Sequence, residues 1–255
     1  MRRNGHLRVV IASIAMVFLQ VGCVSSPRSH PSGQHPGRFE GTLHKQVEAD
    51  YLLFLPRDYE ARGAKRWPLI VFLHGAGERG TNVELVTKHG PPKRVAADPD
   101  FPFVVLSPQC PPGTTWNLDT LEALLDDTLA RHAVDPKRVY LTGLSMGGFG
   151  SWAWAAANPE RFAAVVPICG GGDPIPVRLM SGRRRDALAK LPIWCFHGAK
   201  DNVVALAESQ RMIDAYKSIG NEVRLTVYPE AGHDSWTETY ANPELYSWLS
   251  QHARP

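Results

Sequence analysis

The chain has 255 residues, of which 44% are hydrophobic, and a formal net charge of +3. That length suits one α/β domain with a substantial core. Residues 1–22 hold three arginines and no acidic residue. Without their charge of +3, the rest of the chain has a formal net charge of zero. The remaining chain has no basic patch interleaved with aromatic residues, which argues against a nucleic-acid partner.

The first 22 residues predict a secretory signal peptide. An arginine-rich start precedes an apolar run at 9–19, and small residues follow it. This order of basic start, short apolar segment and cleavage region is typical of exported proteins. The apolar run is too short to cross a bilayer comfortably as a permanent helix.

Cys23 is a candidate for lipidation. The run 20–23, Gln-Val-Gly-Cys, resembles a bacterial lipoprotein box, although that pattern usually carries leucine where Gln20 stands. We expect a periplasmic or cell-surface lipoprotein, with a soluble secreted form or an uncleaved anchor as alternatives. Residues 23–38, rich in Ser, Pro, Gly and His, predict a flexible tether before a single folded domain at 39–255.

Apolar, strand-like runs then alternate with segments of helical periodicity. The predicted strands are 49–55, 69–73, 103–106, 139–144, 164–168, 193–196 and 223–228. The predicted helices are 118–129, 146–157, 206–219 and 243–251. This alternation predicts an α/β fold with a doubly wound, mostly parallel sheet, helices on both faces and no large lid. Functional residues gather at the carboxyl ends of the strands in such sheets.

Ser145 is the candidate nucleophile. It lies in the run 143–148, Gly-Leu-Ser-Met-Gly-Gly, between a predicted strand and a predicted helix. This is the arrangement of a nucleophile elbow, a tight turn that exposes the serine hydroxyl at the amino end of a helix. A side chain in place of Gly143 or Gly147 would collide with the neighbouring chain.

Asp201 and His233 are the candidate partners of the serine. A serine hydroxyl needs a base, and the base needs an acid that holds its tautomer. Asp201 follows the predicted strand 193–196 and His233 follows the strand 223–228. The order serine, acid, histidine is the one expected after a nucleophile elbow. Asp234 is a rival acid, but adjacent side chains point apart.

An oxyanion hole requires two N–H donors aimed at the developing charge. We expect the amide of Met146 to be one of them. The other is expected from the glycine-rich loop 74–80, at the amide of Ala76. Trp116 and Trp236 follow other strands at the same rim, and each is a candidate for binding an acyl or sugar group or for packing.

Other histidines and cysteines near the predicted rim have structural interpretations. His74 and His197 end strands, where we expect them to make hydrogen bonds near the site, and we expect no metal site. Three cysteines follow Cys23, so at most one disulfide can join them and one thiol stays free. These are Cys110, Cys169 and Cys195.

Taken together, the motifs resemble those of the α/β-hydrolase superfamily. They are the runs 74–80 (His-Gly-Ala-Gly-Glu-Arg-Gly), 143–148, 170–173, 197–201 (His-Gly-Ala-Lys-Asp) and 232–233 (Gly-His). The chain is most similar to compact bacterial carboxylesterases related to dienelactone hydrolases, phospholipase/carboxylesterases and predicted peptidases. The resemblance implies hydrolysis of short-chain acyl or carbohydrate esters by Ser145, Asp201 and His233, without a cofactor. A serine peptidase of related fold and a non-catalytic binding protein on this scaffold remain alternatives.

Overall fold

The computed structural model describes Gln34, Pro36, residues 38–42 and residues 44–255. The sheet and the site belong to one compact unit, Lys45–Pro255, and residues Met1–His44 are grouped separately. The predicted signal peptide and the lipidation candidate Cys23 lie outside the described residues. Within the described part, none of the helices combines the length and the apolar character that crossing a membrane requires.

The described residues form a seven-stranded sheet with the order β1-β3-β2-β4-β5-β6-β7. The strands are β1 (Tyr51–Phe54), β2 (Trp67–Leu73), β3 (Val104–Pro108), β4 (Val134–Leu144), β5 (Ala164–Ile168), β6 (Trp194–Gly198) and β7 (Arg224–Tyr228). Strand β1 pairs antiparallel with β3, and every other neighbouring pair is parallel. This confirms the predicted mostly parallel sheet.

Eight α-helices accompany the sheet in the described residues. They are α1 (Gly90–Val95), α2 (Leu118–Arg131), α3 (Met146–Ala157), α4 (Ile175–Leu179), α5 (Gly182–Lys190), α6 (Leu206–Ser218), α7 (Trp236–Ala241) and α8 (Pro243–Ser250). The four predicted helices correspond to α2, α3, α6 and α8. The helices that were not predicted are short, between five and nine residues, so they show little periodicity. Two of them, α4 and α5, fill the connection from β5 to β6.

Helix boundaries follow from local chemistry. The side chain of Asn117 accepts a hydrogen bond from the amide of Thr120 and caps the start of α2, a common way to satisfy a free N–H at a helix start. At the end of α6, Gly220 has φ +92°, a left-handed conformation in which glycine avoids the penalty of a side chain. The predicted role of Gly220 as the residue that ends this helix is thereby confirmed.

The two faces of the sheet are buried under different helices. Alternate residues of β2 show this, because successive side chains of a strand point to opposite faces. Leu69 and Val71 pack in a core with residues of α2, α3 and α6. Ile70 and Phe72 pack in a second core with residues of α7 and α8. The carboxyl ends of the central strands, between these layers, carry the candidate site.

Candidate active site

Ser145 stands in a strained turn between β4 and α3. Its φ of +51° and ψ of −116° are unusual for a residue with a side chain and are typical of functional sites. Its own amide donates to the carbonyl of Ile168, at 3.0 Å. A Cβ at Gly143 would lie 2.3 Å from the carbonyl oxygen of Gly147, and one at Gly147 would lie 1.9 Å from that of Leu73. The predicted steric need for both glycines is therefore confirmed.

The structure brings Ser145, His233 and Asp201 into one hydrogen-bonded chain. Nε2 of His233 lies 2.9 Å from Oγ of Ser145, and its Nδ1 lies 2.8 Å from Oδ2 of Asp201. The three residues follow β4, β7 and β6, so strand ends position all of them. The imidazole is 19% exposed and the carboxylate is fully buried, which leaves only the serine and histidine open to a substrate.

Asp201 is held as a carboxylate by several donors. Its Oδ1 accepts hydrogen bonds from the amides of Val203 and Val204, both at 2.9 Å. Burial favours a higher pKa for Asp201, but the hydrogen bonds from His233 and these two amides outweigh it and hold the pKa below its usual value. The rival acid Asp234 instead accepts from the amide of Thr237, at 3.0 Å, at the start of α7.

His197 makes a second imidazole contact to the same carboxylate. Its Nε2 lies 2.9 Å from the carbonyl of Val204 and 3.3 Å from Oδ2 of Asp201. Both of these atoms are acceptors, so this nitrogen carries a proton. Nδ1 lies 2.8 Å from Oγ of Ser209, which also lies 2.8 Å from the carbonyl oxygen of Gly170. The predicted structural hydrogen bonds of His197 are confirmed, and they hold the loop that carries Asp201.

His74 joins the glycine-rich loop after β2 to the end of β3. Its Nε2 accepts from the amide of Cys110 at 2.9 Å, so Nδ1 carries the proton and donates to the carbonyl of Gly75 at 2.6 Å. Burial lowers the pKa of His74 to about 4, helped by Arg79 and opposed by the Gly75 carbonyl. His74 is therefore neutral at physiological pH, in agreement with the structural role predicted for it.

Two backbone amides at this rim are free to bind an anion. Ala76 begins a short 3₁₀ helix, Ala76–Glu78, and Met146 begins α3. The first N–H groups of a helix have no partner inside it. In the part of the chain that the structure describes, neither amide donates to another protein group. Both predicted oxyanion donors therefore remain candidates, on the two segments that lie beside the serine.

Two clefts near the site each contain one of the predicted tryptophans, and only the first includes Ser145 in its lining. The first has a volume of about 470 Å³. It is lined by Thr115, Trp116, Ser145, Met146, Phe149, Gly150 and Ala153. The second, of about 330 Å³, is lined among others by Trp236, His89 and Lys93. The Trp236 ring meets that of His233 edge-on, with centroids 5.2 Å apart.

Thr115 and three residues of α3 in the first cleft were not predicted from the sequence. The residues of α3 are Phe149, Gly150 and Ala153. Together with Met146 they occupy positions i, i+3, i+4 and i+7, the spacing of a single helix face. That spacing, counted from the residue after the nucleophile, is a signal that could have identified them.

The cysteines near the site are buried. All three described cysteines are buried and free, so no disulfide joins them. Cys169, Asp201 and His233 form the one group of potential metal-ligating residues within the described ranges, their ligand atoms lying within 4.8 Å of one another. Burial raises the pKa of the Cys169 thiol to about 12, and a protonated thiol is a poor ligand. The Asp201 and His233 atoms are already bonded to each other, which disfavours a metal site.

Relatives of the chain include hydrolases from bacteria and fungi. Poly(3-hydroxyalkanoate) depolymerase C of Paucimonas lemoignei is 44% identical over 52 residues, 20% of this chain and 13% of the depolymerase. The protein named probable feruloyl esterase C of Aspergillus clavatus is 25% identical over 201 residues, 76% of this chain and 69% of that protein. The chain spans only 13% of the depolymerase, and 39% and 22% of two other curated relatives.

Solved structures and the family comparison agree with the resemblance seen in the sequence. A crystal structure of a thermostable esterase superposes with a TM-score of 0.69 at 35% identity, covering 82% of this chain and 60% of the esterase. The dienelactone hydrolase family matches residues 39–246. The predicted α/β-hydrolase fold and the predicted relationship are thus confirmed. The chain belongs to the dienelactone hydrolase family.

Proposed function

We propose that this protein is a serine carboxylesterase that hydrolyses short-chain acyl or carbohydrate esters. The observation that carries the proposal is the unbroken contact from Ser145 through His233 to Asp201, at 2.9 and 2.8 Å. These distances are those at which a base can take a proton from a nucleophile while an acid orients the base.

In the acylation step, Oγ of Ser145 forms a bond to the ester carbonyl carbon while its proton moves to Nε2 of His233. Asp201 stabilises the resulting imidazolium, and the amides of Met146 and Ala76 bind the negatively charged oxygen. The bond from the carbonyl carbon to the alcohol oxygen then breaks. His233 returns the proton to that oxygen, and the alcohol leaves an acyl-serine.

In the deacylation step, water replaces the alcohol. Nε2 of His233 takes a proton from the water as its oxygen attacks the acyl carbon. The bond to Oγ of Ser145 breaks and the serine recovers its proton from His233. The acid is released, the protein returns to its starting state, and no redox partner or external cofactor is consumed.

The relatives favour esters as the substrate class. An esterase structure and a protein named as a feruloyl esterase are among them, and the family that matches most of the chain is one of hydrolases. Because the same fold carries many chemistries, ester hydrolysis is proposed on the site and these relatives together.

The test replaces Ser145 with alanine and measures hydrolysis of 4-nitrophenyl acetate. We expect kcat to fall by about four orders of magnitude while the circular dichroism spectrum stays unchanged. Ser247→Ala, at an exposed serine of α8, is the matched control and keeps full activity. Near-normal hydrolysis by a folded Ser145→Ala protein would contradict the proposal.

Two further assays separate esterase activity from the alternatives. A serine peptidase would cleave a peptide 4-nitroanilide in preference to the acetate ester, whereas the proposed esterase prefers the ester. A binding protein without catalysis would not react with a fluorophosphonate probe. We expect the probe to label the wild-type protein at Ser145 and to leave Ser145→Ala unlabelled.

We also propose export of the protein as a lipoprotein anchored through Cys23. The basis is the signal-like segment 1–22 and the sequence around Cys23. In a bacterial host, the wild-type protein should enter the detergent phase of a Triton X-114 extraction. Cys23→Ala should move it to the aqueous phase, whereas the control Ser25→Ala should not. Equal partitioning of all three proteins would argue against the anchor.

A further inference from the structure

The cleft on α3 beside Ser145 has an apolar character that the reaction itself does not require. None of the residues that line it is charged. Phe149 is 36% exposed, a large apolar side chain left open next to the nucleophile. Exposed aromatic surface at a concave site is typical of ligand binding.

The position of His233 decides which part of an ester can occupy this cleft. The alcohol oxygen must lie against Nε2 of His233, because that nitrogen protonates it as it leaves. His233 does not line the cleft, whereas Met146, whose amide is a proposed donor to the carbonyl oxygen, does. The acyl chain therefore extends into the cleft on α3. The alcohol leaves past Trp236, which contacts the imidazole and lines the other cleft.

Small residues of α3 leave room beside the rings on the acyl side. A Cβ at Gly150 would lie 2.7 Å from Cδ1 of Trp116, so the indole rests directly against the helix backbone. An edge-on contact with His74, with centroids 4.7 Å apart, also holds the indole. Ala153, one turn further along α3, is exposed and lines the same cleft.

Two aromatic side chains, Trp116 and Phe149, thus border a cleft of about 470 Å³ whose lining also includes the small residues Gly150 and Ala153. A flat apolar group can stack on such rings, while an acetyl group would leave most of the cavity unfilled. We infer that this cleft is an acyl subsite for arylalkanoyl groups, and that Ala153 and Phe149 determine its specificity. The inference rests on the esterase function proposed above, and it assigns that site an arylalkanoyl group in preference to a short acyl chain.

The experiment compares two esters of one alcohol, 4-nitrophenyl 3-phenylpropanoate and 4-nitrophenyl acetate. The wild-type protein should show a kcat/KM at least about tenfold higher for the phenylpropanoate, as filling an apolar pocket usually provides. Ala153→Leu fills the cavity and Phe149→Ala removes one aromatic side chain. Each should lower the ratio of the two kcat/KM values about tenfold.

Ala157→Leu makes the same substitution one turn further along α3, outside the cleft, and should keep the wild-type ratio. Trp236→Leu should also keep that ratio but change the preference between 4-nitrophenyl and 2-naphthyl acetate, since it lies on the alcohol side. A wild-type ratio near one overturns the inference, as does an equal change in Ala153→Leu and Ala157→Leu. A wild-type protein that hydrolyses neither ester contradicts the proposed esterase function itself.

Discussion

His74 should make the stability of the protein depend on pH in a defined window. Its pKa is about 4 in the folded protein, against an ordinary value of 6.5, because the ring is buried. Protonation at Nε2 would also break the hydrogen bond from the Cys110 amide. The unfolded chain binds this proton as the pH falls through 6.5, whereas the folded protein resists it until about 4. The stability that the neutral His74 ring contributes to the folded protein is therefore complete above pH 6.5. It is lost as the pH falls from 6.5 to about 4.

The magnitude follows from the two pKa values. At 1.36 kcal/mol for each pH unit, the whole shift corresponds to about 3 kcal/mol of unfolding free energy. At pH 5 the unfolded form is nearly all protonated and the folded form nearly all neutral, so about 2 kcal/mol has already been lost relative to pH 7.5. This is a large share of the 5–15 kcal/mol that is typical of whole domains.

The assay is urea unfolding of the wild-type protein and of His74→Gln, followed by tryptophan fluorescence at pH 7.5 and pH 5. Glutamine does not titrate. The variant therefore lacks the pH-dependent contribution of His74 to the unfolding free energy, whatever stability it loses for other reasons. The gap in unfolding free energy between the two proteins should narrow by about 2 kcal/mol at pH 5. If the variant does not fold, an NMR titration of the His74 ring in the wild-type protein replaces it. A constant gap, or a ring that titrates near 6.5, refutes the reasoning.

Four further predictions concern packing, the elbow, the acid and the thiols. Leu125→Ala, at a fully buried position of α2, should lower the unfolding free energy by about 2–5 kcal/mol in urea titrations. Gly147→Ala should abolish accumulation of folded protein, because its Cβ would overlap the Leu73 carbonyl; a soluble, active variant would contradict this. His197→Gln, whose amide can still reach Asp201, should retain a kcat about tenfold higher than His197→Asn, which cannot; equal losses would exclude this role. A reducing agent should leave the melting temperature unchanged, since the described cysteines are free.

Much of the site could be predicted because its chemistry is encoded in contiguous residues. The elbow needs glycine on both sides of Ser145, because a Cβ at Gly143 would meet Gly147 in the same turn and one at Gly147 would meet Leu73 of the neighbouring strand. Likewise, Asp201 and His233 each follow an apolar strand, and parallel strands bring their carboxyl ends to one edge. Helix α3 was predicted with the bounds that the structure has, since its composition and its start at the elbow are local features.

Other features depend on contacts between distant segments. The cleft on α3 exists because Trp116, from the loop before α2, packs against the bare backbone of Gly150. Two hydrogen bonds also join strand ends to loops. One runs from His197 to the loop that carries Asp201, and the other runs from the amide of Cys110 to His74. Strand order is also of this kind, since β2 lies between β3 and β4.

The sequence by itself determined the type of most elements, the nucleophile turn and the identity of the two partners of the serine. These depend on hydrophobic periodicity and on short contiguous motifs, which are visible in neighbouring residues. Only the tertiary structure decided that the cleft beside Ser145 is apolar, which histidine contacts the acid, and how the glycine-rich loop is held. Those properties arise from packing and hydrogen bonds between residues far apart in the chain, and no local pattern specifies them.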